Sequence, residues 1–275
     1  MPLKLEGQLV LAGAGKMGAA LLAGWLQRGL DPKAILVQEP SLQDEAAELV
    51  RRHGLRTAAH FDHLEVPPAV IVVAVKPQVM DQVFPRLAKL TGPKTVVLSI
   101  AAGKSIASFE RHLPERTAVV RAMPNTPAAI ARGITGACGN AQLMPGQKAL
   151  CDELLRAVGE VVWVDDESLI DAVTAVSGSG PAYVFLLAEC LADAGRAAGL
   201  DAGLAMQLAR ATVSGAGEML HQSALDPAVL RQNVTSPGGT TAAALAVLMR
   251  DADGLRRLMT EAVMAAQKRS RELGA

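Results

Sequence analysis

Gln8-Leu9-Val10-Leu11-Ala12 is a short apolar run that passes directly into Gly13-Ala14-Gly15-Lys16-Met17-Gly18. A helical pattern then extends from Ala19 to Arg28 and stops at Gly29. Few local patterns restrict a fold as strongly. Strand, G-x-G-x-x-G, helix is the opening of a parallel α/β sheet that takes a dinucleotide at its first turn. Gly13 permits the tight turn, Gly15 lets a pyrophosphate approach the backbone, and Gly18 lets helix and strand pack closely. The glycines alone are a weak signal; the strand before them and the helix after them carry the inference.

A second strand, 34–38, ends at Glu39. An acidic side chain about 20 positions beyond the glycines accepts the ribose hydroxyls of NAD and repels a 2′-phosphate. This use of Glu39 favours NADH over NADPH; the other use open to it is to cap a helix over 42–52. Strand and helix keep alternating. The run 69–74 is apolar throughout, as in a strand buried on both faces. It ends in Val75-Lys76-Pro77-Gln78, with Pro77 in the first turn of a helix expected to reach Leu90. The strand 95–100 ends in Ala101-Ala102-Gly103, and 118–122 ends in Met123-Pro124-Asn125-Thr126-Pro127. These ends share the carboxyl edge of the sheet, where open α/β folds bind ligands. There Lys76 is either a charge partner for cofactor or substrate, or a solvated strand-end lysine. Asn125 either bonds the cofactor or braces its loop. A strand at 134–138, a helix at 147–157 and a strand at 161–164 complete this half. The charged link Asp165-Asp166-Glu167-Ser168 divides the chain into an expected dinucleotide-binding domain, 1–166, and a helical domain, 167–275.

From Leu169 onward strand signals stop. Ser177-Gly178-Ser179-Gly180-Pro181 reads as a small-residue loop, with Pro181 starting a helix to about Ala198. Asp201 and Asp226-Pro227 cap the next two helices, and Asp253 begins the last. The stretches 183–191 and 204–213 are apolar around most of the helix, whereas a surface helix shows one apolar stripe. They are therefore buried in the domain or covered by a second copy. Abundant Ala and Gly favour an intertwined dimer.

Thr235-Ser236-Pro237-Gly238-Gly239-Thr240-Thr241 interrupts this helical text. Pro fixes φ and Gly reaches positive φ freely, so the preceding helix must break. Thr240 or Thr241 is expected to cap a helix beginning at Ala242. A glycine loop feeding a helix N-terminus leaves N–H groups suited to an anion. No Lys follows the glycines, so this is not a nucleotide-triphosphate loop.

Lys plus Arg and Asp plus Glu each number 27, so the net charge is zero and neither nucleic acid nor an acidic membrane is an expected partner. No N-terminal secretory pattern and no apolar run of membrane-spanning length is read. Cys138, Cys151 and Cys190 are isolated, which fits reduced, buried thiols of a cytoplasmic protein. His60 and His63 lack a second ligand pair, so no metal site is expected.

The residues quoted so far resemble the pyrroline-5-carboxylate reductase family nearly from end to end. The generic part is Gly13–Gly18. The specific part is Arg121-Ala122-Met123-Pro124-Asn125-Thr126-Pro127, Ser177-Gly178-Ser179-Gly180-Pro181-Ala182-Tyr183 and Asn233-Val234-Thr235-Ser236-Pro237-Gly238-Gly239-Thr240-Thr241. The resemblance implies a Rossmann-type doubly wound sheet followed by an all-α dimerisation domain. It implies NADPH or NADH as hydride donor, reduction of the C=N bond of 1-pyrroline-5-carboxylate to L-proline, cytoplasmic residence, and a homodimer that often assembles into a decamer. The glycine motif itself offers Gly13, Gly15, Lys16, Met17 and Gly18 to the cofactor, with Glu39 and Asn125 as further candidates, and the resemblance adds Ala74, Lys76, Pro77, Ala102 and Asn233 along it. Gly238, Gly239 and Thr240 would hold the substrate carboxylate. Thr241 would bond the ring nitrogen, with Ser236 and Glu167 nearby. The chain departs from the family at Glu39, where a hydroxyl or small residue is common, and in Ala59-His60-Phe61-Asp62, where an Asn is common. Both departures concern the coenzyme and not the reaction. Two other chemistries fit less well. A 3-hydroxyacid dehydrogenase needs a lysine base on the first interdomain helix, and 181–198 contains none. A protein that only binds NAD(P) has no use for a carboxylate cradle.

Overall fold

The computed structural model describes residues 3–274. Eight strands form one sheet in the order β3-β2-β1-β4-β5-β6-β7-β8. They are β1 (Leu9–Ala12), β2 (Ile35–Gln38), β3 (Arg56–Ala58), β4 (Val70–Val73), β5 (Val96–Ser99), β6 (Ala118–Met123), β7 (Gly133–Gly139) and β8 (Gly159–Trp163). Every pairing is parallel except β6 with β7. Every residue of β1, β2, β4 and β5 is buried. Such strands need helices on both faces, which is why they read as unbroken apolar runs. Val10 lies between Leu36 and Ile71 in register, so β1 is central and the strand order reverses beside it. The reversal places the carboxyl ends of β1 and β4 at the ligand-binding crevice of the sheet. The link from β6 to β7 is residues 124–132, with the turn Thr126–Ile130 inside it, too short for a helical crossover, so β7 returns antiparallel. The edge strand β3 carries no sequence signal: it is three residues long and its first two are exposed.

The helices of the sheet region are α1 (Lys16–Gln27), α2 (Asp44–His53), α3 (Met80–Ala88), α4 (Ile106–Glu110), α5 (Pro145–Leu155) and α6 (Ile170–Val173). The helix expected from Pro77 to Leu90 is a short turn, Pro77–Val79, followed by α3. Beyond α6 come α7 (Gly180–Ala197), α8 (Ala202–Gln222), α9 (Pro227–Asn233), α10 (Thr240–Leu248) and α11 (Leu255–Gly274). Contacts divide the chain into two compact units. One runs through Gly178 and includes the chain from Gln267 onward; the other is Ser179–Ala266. This division falls twelve residues beyond the 166/167 boundary read from the sequence.

The expected loop at 177–181 is not a loop. Thr174–Gly178 is a π-helical turn, and the chain is helical from Glu167 to Ala197. Pro181 has no N–H and its ring crowds the carbonyl four residues back, which a wider turn just upstream relieves. The Thr174 and Ser177 hydroxyls donate to the carbonyls of Ile170 and Val173, at 2.8 and 2.9 Å. The continuous 31-residue helix is also long and apolar enough, by length and composition, to cross a membrane. This differs from the sequence expectation that no apolar run reaches membrane-spanning length, which was read on Ala182–Leu191 alone, ahead of Asp193 and Arg196.

Within the second unit α7 and α8 meet through small residues. Ala192, Ala205 and Ala209 are buried, and a Cβ on Gly195 would lie 3.3 Å from the Ala205 methyl. The large apolar side chains of both helices stay outside, among them Phe185 at 62%, Leu186 at 57% and Leu208 at 48% exposure. Of the two expected fates for these helices, burial within their own unit is excluded.

Cys138 and Cys151 are buried, whereas Cys190 is exposed, so only two of the three thiols fit the expectation. Burial pushes the Cys151 thiol up to about 12. The folded state therefore holds a proton that the unfolded chain releases above the thiol's ordinary value. Its contribution to stability is intact below that ordinary value and is lost as pH rises toward about 12. Urea midpoints measured from neutral to strongly alkaline pH should fall less steeply for Cys151→Ala than for the unaltered chain; parallel curves would exclude this origin.

Candidate active site

At the first turn the glycines do three separate jobs. Gly13 has φ of +93°, and a Cβ there would meet Ala74 C, Ala74 O and Val75 N, each at 2.7 Å. Its N–H donates to the Gln38 carbonyl at 2.9 Å. Gly15 has nothing within 4 Å of a built Cβ, so the space above it is open. A Cβ on Gly18 would collide with the Gly13 carbonyl and touch the Ala74 methyl at 3.5 Å. Ala19 N–H is the first to bond back, to Gly15 O at 2.8 Å, and Gly15 caps α1 without a side chain. The amides of Lys16, Met17 and Gly18 thus lack an acceptor among the described residues, at the positive end of α1. This arrangement suits a pyrophosphate.

Glu39 does not cap α2, whose N-cap is Gln43. Its carboxylate accepts from Ala14 N–H at 3.0 Å and from Ser41 N–H at 3.2 Å, which sets it beside the glycine turn. The remaining sheet-edge residues of the expected cofactor site lie on three loops. Ala74 N–H donates to Ala12 O at 2.7 Å, which ties the end of β4 to β1. Lys76 is exposed and precedes the turn that begins with Pro77. Ala102 is exposed in the loop between β5 and α4. Asn125 is buried; its Oδ1 accepts from Ile134 N–H at 2.9 Å and its Nδ2 donates to Ser177 O at 3.2 Å. These two bonds make the side chain a brace for its loop.

Glu167 is tied into the sheet unit. Its Oε1 accepts from Arg121 Nη1 at 2.9 Å and from Ile106 N–H at 2.8 Å. Arg121, 8% exposed in β6, also approaches Asp171 at 3.6 Å, and Asp171 accepts from the Ser270 hydroxyl at 2.7 Å. This chain fastens α4, β6, α6 and the last turns of α11 together. No sequence reading singled it out, although an arginine inside an apolar strand is a signal, since a buried charge needs partners.

The loop at 235–241 belongs to the second unit. Asn233 ends α9 and is exposed. The Thr235 hydroxyl donates to Arg231 O at 2.6 Å, closing off α9. Gly238 sits at φ of +70° with open space around it. The expected threonine cap is not formed. Gly239 is the N-cap of α10, in extended backbone and without a side-chain bond, and the helix starts at Thr240. Gly239 N–H donates to Ser236 O at 3.1 Å, and a Cβ on Gly239 would collide with the Ser236 hydroxyl. Ala243 N–H is the first to bond back, to Gly239 O at 3.2 Å. The amides of Thr240, Thr241 and Ala242 and the Thr241 hydroxyl have no partner among the described residues. A helix N-terminus capped by glycine rather than threonine keeps all three amides available to a carboxylate.

Among the described residues no group of three or more His, Cys, Asp or Glu could hold a metal ion. The two cradles suit a dinucleotide and a small carboxylic acid. Residues 167–273 match the family model for pyrroline-5-carboxylate reductase dimerisation, and residues 8–103 match that for an NADP oxidoreductase, coenzyme F420-dependent. The pyrroline-5-carboxylate reductase of Pseudomonas aeruginosa is 40% identical over 266 residues, covering 97% of this chain and 96% of its own. The structure of the Coxiella burnetii pyrroline-5-carboxylate reductase superposes with a TM-score of 0.90 at 36% identity, covering 98% of this chain and 99% of that one. The Plasmodium falciparum pyrroline carboxylate reductase, solved with NADP bound, gives 0.81 at 28% identity, covering 98% and 99%. With relatives this similar matching almost all of its length, the chain belongs to the pyrroline-5-carboxylate reductase family.

Proposed function

We infer that this chain reduces 1-pyrroline-5-carboxylate to L-proline with NAD(P)H, the last step of proline biosynthesis. Beside its family membership, the observation that carries the reading is the uncapped start of α10, a carboxylate-sized set of free amides. Bound NAD(P)H supplies the hydride. Residues 1–166 are the dinucleotide-binding half, in which the Lys16, Met17 and Gly18 amides hold the pyrophosphate and Ala74, Lys76, Pro77 and Ala102 flank the cofactor. Residues 167–275 form the dimerisation and substrate half. Here the Thr240 amide and the Gly238-Gly239 turn hold the substrate carboxylate. The Thr241 hydroxyl accepts from the N–H of the protonated imine and fixes the ring, and Ser236 supports the turn through Gly239. The family resemblance adds Asn233 for the cofactor and Glu167 for the substrate. Imine reduction needs little acid–base machinery, because the protonated C=N carbon is already electrophilic. What it needs is a donor carbon within roughly 3–3.5 Å of the acceptor and the exclusion of water. We propose that the protein works in the cytoplasm as an intertwined homodimer, further assembled into a decamer. Its partners are the small-molecule substrate and other copies of itself.

Oxidation of NADH or NADPH by the purified protein should depend on pyrroline-5-carboxylate and not occur with a 2- or 3-oxo acid. Thr241→Ala should lower kcat/KM about tenfold to a hundredfold, the worth of one positioned hydrogen bond. An unchanged kcat/KM in that variant would sink the role of Thr241 and leave the reaction itself standing.

A further inference from the structure

We propose that Glu39 makes this enzyme select NADH over NADPH, an inference that rests on the NAD(P)H-dependent reading above. The side chain is half-buried and held at both oxygens, by Ala14 N–H of the glycine turn at 3.0 Å and by Ser41 N–H at 3.2 Å. An ionised carboxylate has about four lone-pair sites, so two remain after these bonds, enough for the two hydroxyls of a ribose. The backbone geometry places it where such a ribose must sit. Gly13 N–H and Glu39 N–H continue the β1–β2–β3 ladder by donating to Gln38 O and Ala58 O at 2.9 and 3.0 Å, so Glu39 flanks the pyrophosphate cradle.

A 2′-phosphate brings a charge of about −1.5 to −2 to the same point. It must either lie against a fixed carboxylate or expel it. Expulsion breaks two charge-assisted bonds and leaves the Ala14 amide without a partner, in the turn that aims the cradle. Neutralisation by a neighbouring cation is the usual remedy in NADP sites. Here no Lys, Arg or His occurs from Ala34 to Val50. The adjoining strand and loop carry Arg56, His60 and His63, and the first two are otherwise placed. Arg56 pairs in register with Leu36, two rungs before the end of β2, and its guanidinium lies 5.7 Å from the Phe61 ring centre. His60 is 3.5 Å from the Asp62 carboxylate. Attraction to ribose hydroxyls and repulsion of the phosphate therefore act in the same direction.

Direct titration of the protein with each coenzyme, followed by calorimetry or by nicotinamide fluorescence, tests this without substrate. NADH should bind at least about tenfold more tightly than NADPH, a ratio worth about 1.4 kcal/mol. Glu39→Gln keeps the shape and an acceptor but removes the charge, and Glu39→Ser removes both. Each should weaken NADH, strengthen NADPH and bring the ratio close to one. Equal affinities in the unaltered chain, or tighter NADPH, would overturn the proposal, as would a ratio that neither variant moves. Failure to reduce pyrroline-5-carboxylate with either coenzyme would instead overturn the reductase reading, while the binding ratio still decides the role of Glu39.

Discussion

Gly13→Ala should abolish measurable coenzyme binding and lower the stability of the fold, whereas Gly15→Ala should impair binding alone. The added Cβ at Gly13 meets backbone atoms of Ala74 and Val75 at 2.7 Å, and backbone cannot rotate aside as a side chain can. Its φ of +93° adds a further penalty for any residue with a Cβ. Relief requires the carboxyl ends of β1 and β4 to part, against the Ala74 N–H to Ala12 O bond at 2.7 Å. Overpacking of this kind costs about 1–3 kcal/mol, and the left-handed backbone roughly another 1–2. The same movement turns the amides of Lys16, Met17 and Gly18 away from a common point. Gly15 is the control that isolates the ligand: its φ is −67° and a Cβ there has nothing within 4 Å. Ala at that position should leave the melting temperature unchanged while the methyl occupies the pyrophosphate's approach, weakening NADH by at least about tenfold. Calorimetric titration and thermal melts of the two variants check both halves. If Gly13→Ala binds NADH as the unaltered protein does, the crevice assignment is wrong. If Gly15→Ala does so, the open space above Gly15 is not where the pyrophosphate lies.

This contrast shows what kind of information a single sequence carries. The first turn was legible because strand, glycines and helix are consecutive in the chain, although the atoms that forbid a Cβ at Gly13 belong to Ala74 and Val75, far along the sequence. The interruption at 235–241 was legible for the same reason, since Pro, Gly and hydroxyls have no place inside a helix. Its cap was misread because threonine is the better N-cap by preference, yet here the chain uses Gly239 and leaves the Thr241 hydroxyl free. Preference describes the isolated helix, and a site that needs open amides runs against it. The small residues at 177–181 were ambiguous in themselves. Gly and Ser are compatible with a loop or a close-packed helix, and the choice is visible only in the folded backbone, where Thr174–Gly178 takes a π-helical turn. Asn125 shows the same limit at one residue. Nothing local distinguishes a side chain that bonds a cofactor from one that bonds Ile134 and Ser177. The Arg121 network was out of reach, because its partners come from α4, α6 and α11 and meet only through tertiary structure.

That network supports the second large effect expected here. Arg121→Met should destabilise the protein by about 3 kcal/mol, the low end of the range for breaking a buried ion pair. Arg121 is 8% exposed and stands between two carboxylates, Glu167 at 2.9 Å and Asp171 at 3.6 Å. Removing it leaves two negative charges without their cation, but the Glu167 side chain keeps 29% of its surface in water, which limits the penalty. The damage should be traceable. Glu167 also accepts from Ile106 N–H, the first residue of α4, and α4 follows the loop that carries Ala102. Asp171 accepts from Ser270, and nearby on the same last helix Leu273 lies 3.3 Å from a Cβ built on Gly103 of that loop. A weakened network should therefore loosen the Ala101-Ala102-Gly103 loop from both sides and raise KM for the coenzyme more than it lowers kcat. A merely stabilising ion pair elsewhere would lower the melting temperature and leave that ratio alone. The neutral partner supplies the decisive comparison. If the carboxylates matter because Arg121 joins them, Glu167→Gln should cost less in the Arg121→Met background than alone, with a coupling of about 1 kcal/mol or more. Additive losses in urea denaturation would mean that the two residues act separately.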